Sequence, residues 1–123
     1  CKNWFKESVK KLSIITIFSM NSLDETTEKV LLIEIVGILE ALESNAISLN
    51  EAENICFSPY IQKKLKEKKC NPEILEIVER GCELEDIKSL IPESYYKNIA
   101  DLKNLGLALV GKYPFIHSSF WRE

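Results

Sequence analysis

Few residues of this chain could do chemistry, and they are dispersed. Its single histidine, His117, sits in a C-terminal aromatic stretch, and the four cysteines, Cys1, Cys56, Cys70 and Cys82, include no CxxC pair. Nucleophilic catalysis by serine or cysteine needs a base beside the nucleophile, usually histidine. His117, next to Ser118 and Ser119, reads instead as a surface or packing residue. A structural zinc site needs clustered nitrogen and sulfur ligands, which this spacing does not offer. Phosphate-cradling loops need glycines at fixed offsets, whereas Gly37, Gly81, Gly106 and Gly111 are scattered through or after helical stretches. No catalytic residue, metal ligand or cofactor is therefore expected, and the chain does not read as an enzyme.

Carboxylates are the one reactive type in quantity, and Glu79, Glu83, Glu85 and Asp86 crowd one short stretch. Acid–base catalysis would require a cleft that separates their pKa values. At helical spacing, Glu79 with Glu83, or Glu83 with Asp86, forms a compact acidic patch; the plainer reading is a solvated helix face. The run Lys63, Lys64, Lys66, Lys68 and Lys69 holds no arginine and no interleaved aromatic residue. It reads as a solubilising face rather than a nucleic-acid site.

The elements that must position these residues follow from composition and pattern. With 123 residues, 46% hydrophobic and 28% charged, and only four Gly and four Pro, the chain reads as one globular domain rich in helix formers. A domain of this length builds its core without disulfides, so the cysteines are expected reduced in a cytoplasmic protein. The apolar stretch 30–39 is broken by Glu34 and falls short of the roughly 20 residues that cross a bilayer. Residues 1–19 carry four lysines against one glutamate, a net +3, so the chain's −3 leaves −6 on the other 104 residues. An acidic body disfavours nucleic acid and favours a basic partner. Residues 1–19 are either an extension preceding a natural start at Met20 or a first helix with Phe5, Val9, Leu12 and Ile15 on one face. Residues 20–123 form the single helical domain.

Local signals predict the helices. Ser22 with Glu25 is a capping box opening a helix over 23–43, apolar on several faces and hence central. Ser48 with Glu51 opens a second, near 49–57. Ser58-Pro59 opens a third over 59–69 with Tyr60, Ile61 and Leu65 inward. Asn71-Pro72 opens a fourth that Gly81 is expected to end in a left-handed cap. A short helix over 83–91 and a long one over 93–110, with Tyr96, Ile99, Leu102, Leu105 and Leu109 inward, complete the set. Gly37 and Gly106 are expected to admit a neighbouring helix. The tail 112–123, with Tyr113, Phe115, Phe120 and Trp121, is too aromatic to stay solvated and should dock. The expected fold is all-α, a compact bundle of about five to six helices with the tail docked on it.

Three stretches carry a resemblance: Ile47-Ser48-Leu49-Asn50-Glu51-Ala52-Glu53, Phe57-Ser58-Pro59, and Gly81-Cys82-Glu83-Leu84-Glu85-Asp86-Ile87 with Leu90-Ile91-Pro92. Over residues 22–99 the chain resembles small bacterial helical proteins that look like immunity proteins of polymorphic or contact-dependent toxins. The resemblance implies a cytoplasmic protein that occludes the active or substrate-binding surface of a cognate toxin, a nuclease by the charge argument. On that reading Glu79, Glu83, Glu85 and Asp86 meet cationic groups of the toxin, and Tyr95, Tyr96 or tail aromatics serve as apolar anchors. The rival readings are a helical adaptor that holds another protein and a carboxylate-only enzyme. No nucleic-acid or membrane partner is expected.

Overall fold

The computed structural model describes residues 24–116. Expectations for residues 1–19, the capping Ser22, His117, Phe120 and Trp121 lie outside that range. Within it the all-α expectation holds, since no strand forms among the described residues. Four helices have nine residues or more: α1 (Glu25–Glu43), α3 (Pro59–Glu67), α4 (Pro72–Cys82) and α6 (Tyr95–Val110). Two of seven residues, α2 (Leu49–Ile55) and α5 (Leu84–Leu90), join them, and a 3-10 turn, Pro92–Ser94, leads into α6.

Most helix starts follow from capping side chains that satisfy amide groups left without an intrahelical acceptor. Asp24 caps α1 by accepting from the Thr27 amide at 2.8 Å, so Glu25 is the first residue of the helix. Ser48 and Glu51 form the reciprocal box of α2. Ser58 and Asn71 cap α3 and α4, each with proline at the start of the helix. Two ends close through left-handed residues, Asn45 (φ 59°) and Lys69 (φ 57°). In both, amides of the next residues reach back into the last turn: Ala46 to the Ala41 carbonyl at 2.8 Å, and Cys70 to that of Leu65 at 3.0 Å.

Helices α1 and α6 form the spine of the domain and pack antiparallel. The Val36 methyl lies where a side chain on Gly106 would be, 2.7 Å from its Cβ position, so this crossing requires glycine. Gly37 does not share that role, because nothing approaches within 4 Å of its Cβ position and it faces outward. The stripe Leu31, Leu32, Ile35, Leu39 and Leu42 of α1 is buried against Ile99, Leu102 and Leu109 of α6 and Ile74, Ile77 and Val78 of α4 within one core.

Three phase expectations are corrected. Gly81 does not end α4 in a left-handed turn: no glycine has positive φ, and Gly81 lies inside the helix against the Phe57 ring, 2.5 Å from its Cβ position. Tyr60 is 61% exposed, with Lys64 Nζ 5.6 Å from its ring centre. On α6 the inward residues are Tyr95, Ile99, Leu102, Gly106 and Leu109, while Tyr96 and Leu105 face out.

At the far end of the spine, the Tyr113 hydroxyl donates to Glu28 Oε1 (3.1 Å) and accepts from Asn71 Nδ2 (2.9 Å). The Asn71 amide donates to Glu28 Oε2 (2.8 Å), and Lys29 Nζ donates to the Pro114 carbonyl (3.0 Å). Burial first, with the Glu28 hydrogen bond and charge adding, pushes the Tyr113 phenol up to about 12. It stays protonated and holds the chain after α6 onto α1 and the start of α4.

Candidate interaction site

The acidic stretch owes its shape to the break between α4 and α5. Glu83 closes α4, its amide donating to the Arg80 carbonyl at 3.1 Å, and also begins α5. That turn drives Leu84 fully into the core and leaves Glu79, Glu83, Glu85 and Asp86 at the surface.

Packing then adds carboxylates that the local sequence did not group with them. Glu53 of α2 meets Glu85 of α5. Burial, then the hydrogen bond and charge of Glu85, raise the Glu53 carboxyl above its ordinary value. Two carboxyls in such contact share a proton or repel. Beside them stands the half-buried Cys82, whose thiol is pushed up to about 11 by burial and then by Glu53, Glu79 and Glu83. Cys56, fully buried, is raised by burial and then by Cys82 and Glu34. Glu34 on α1 is itself raised by burial. The acidic face thus draws on α2, α4 and α5.

None of Glu34, Glu53, Glu79, Glu83 or Glu85 is ion-paired among the described residues. The ion pairs there join Lys64 to Glu67 (3.7 Å), and Lys103 to Glu40 (2.8 Å) and Glu43. Lys88 Nζ, the cation on α5, lies 5.3 Å from the ring centre of Tyr95.

Of the expected anchors, Tyr95 is 6% exposed and belongs to the core, whereas Tyr96 is 48% exposed. The two rings meet edge to face at 5.1 Å. The Tyr96 hydroxyl donates to Asn45 Oδ1 at 2.8 Å, which fixes its ring against the α1–α2 loop. Sequence reasoning missed Glu34 and Glu53, and no local signal marks either: one interrupts the apolar run of α1, and the other follows a capping glutamate by two positions.

The chemistry available to this face is recognition of cations. Among the described residues no group of three or more histidine, cysteine or acidic side chains is arranged to hold a metal ion. The thiols of Cys56, Cys70 and Cys82 are unbridged. Burial chiefly raises all three, which disfavours the nucleophilic thiolate. A cleft of about 260 Å³ lined by Glu25, Glu28, Asn71, Glu73, Leu109, Lys112, Tyr113 and Pro114 shares no residue with the acidic face. No helix among the described residues is long and apolar enough to cross a membrane.

The chain belongs to the family described as protein of unknown function (DUF3969), whose match spans residues 22–122 and so contains every helix above. No curated protein and no solved structure matches it.

Proposed function

We propose that this member of the family acts by binding a cationic partner protein through the face of Glu53, Glu79, Glu83, Glu85 and Asp86. The partner in this reading is a bacterial toxin, a nuclease, and the chain is its cytoplasmic immunity protein. The observation that carries the proposal is the exposure of Glu79, Glu83, Glu85 and Asp86 around the α4–α5 turn with no ion-pair partner among the described residues, to which Glu53, raised in part by Glu85, adds a further carboxylate. Two helices present like charges to each other, and no lysine or arginine of the described residues pairs with them. A partner's guanidinium or ammonium group placed there relieves the repulsion and gains charge-assisted hydrogen bonds. A nuclease offers such groups in the cleft that holds nucleic acid, so an acidic protein reaches it quickly and blocks it.

The adaptor reading shares the surface and differs in the partner; gene order separates the two, since an immunity gene lies directly beside its toxin gene. The proposal assigns no catalysis, metal or cofactor to the chain. Its test is co-expression of the neighbouring toxin domain with this protein. Restored growth and a complex on a sizing column are expected, and both should be lost with Glu53→Lys/Glu85→Lys. Growth arrest unrelieved by the wild-type protein, with no complex, would overturn the immunity reading.

A further inference from the structure

Beside the acidic face, α5 and the turn after it leave apolar side chains in water. Leu90 is 79% exposed, Ile91 47%, and Tyr96 follows at the start of α6. These residues are held rather than loose. The Ile91 amide donates to the Ile87 carbonyl at 2.8 Å, the Ser94 amide to that of Ile91 at 2.9 Å, and Asn98 Nδ2 to that of Ser94 at 2.8 Å. The Tyr96 ring is fixed by Asn45 and by Tyr95. The patch adjoins the acids along α5, where Asp86 lies one helical turn before Leu90, and the Tyr95 ring contacts that of Tyr96. A rigid apolar centre bordered by charge is the usual anatomy of a tight protein interface.

We infer that Leu90, Ile91 and Tyr96 form the apolar anchor of an interface whose occupant is a cationic segment of the partner, carrying exposed apolar side chains among its lysines and arginines. The inference rests on the acidic-face reading and adds the partner's second chemical requirement. Charge complementarity selects this patch over exposed apolar residues elsewhere, such as Ile33 of α1 and Leu105 of α6. On α1 Glu40 and Glu43 are already paired to Lys103, whereas Glu53 and Glu85 form no ion pair among the described residues, and Lys88, the cation of α5, lies over the Tyr95 ring. Charge sets the rate of encounter, and apolar burial sets the lifetime of the complex.

The test uses the full chain and two peptide probes of equal charge, an amphipathic leucine–lysine 14-mer and an oligolysine, titrated while methyl and amide resonances are followed. The leucine–lysine peptide is expected to bind about tenfold or more tightly than oligolysine and to shift Leu90 and Ile91. Leu90→Ser/Ile91→Ser, or Leu90→Ser alone if the pair lowers the melting temperature, should bring its affinity to the oligolysine level and leave oligolysine binding unchanged. Equal affinity of the two peptides, or shifts centred on Ile33, Leu105 and Leu107, would overturn the anchor while the acidic reading stands. Failure of both peptides to bind would overturn both.

Discussion

Gly81 and Glu53 show how single positions acquire roles through packing. In the sequence Gly81 stands where a helix could end. In the fold the Phe57 ring fills the space a side chain would need. Gly81→Ala is expected to destabilise by about 1–3 kcal/mol, the cost of overpacking a core, read as a lower denaturant midpoint. Glu53 and Glu34 have folded-state pKa values raised above the ordinary glutamate value of 4.5. Between 4.5 and those raised values the native state holds more protons than the unfolded one, so their contribution to stability falls as pH rises through that window. Asp24 runs the other way: its helix-cap bond holds the carboxyl below 3.8, and that stabilisation is lost as pH falls through its folded value. Glu53→Gln/Glu34→Gln is therefore expected to be more stable than wild type at neutral pH, with the advantage shrinking toward pH 4.5. A thermal-melt series across pH checks this, and a constant difference would contradict it.

Helix starts were legible because capping is local chemistry. Ser48 with Glu51, Ser58-Pro59 and Asn71-Pro72 all act where the sequence placed them. Ser48→Ala should cost about 1 kcal/mol, visible in thermal or urea melts. The phase of α6 was harder to read. Its buried row, Tyr95, Ile99, Leu102, Gly106 and Leu109, passes through a glycine that adds no apolar signal, while Tyr96 and Leu105 supply a competing row. Helix ends were less visible still, because left-handed closure falls on Asn45 and Lys69 instead of glycine. Lysine in that conformation is strained, so Lys69→Gly should stabilise by about 1 kcal/mol, as an upward shift in midpoint.

At the scale of the whole molecule, four of the acids could be grouped from sequence because they lie within one turn of chain around Glu83. Glu53 could not, since it lies on a different helix about thirty residues earlier in the chain, and only the fold sets it near Cys82 and Glu85. Tertiary packing thus turns a short charged stretch into a face that draws on α2, α4 and α5, with Leu90 at the end of α5. Attraction across such a face weakens with salt, because screening shortens its reach to about 10 Å at 0.1 M. The central claim is that this face captures a cationic partner, and stopped-flow association with the neighbouring toxin domain across ionic strength measures it most directly. The wild-type on-rate is expected to fall about tenfold or more from low to high salt, and that of Glu53→Lys/Glu85→Lys to be slow and nearly salt-independent. Equal on-rates for the two proteins, with the same indifference to salt, would contradict that claim.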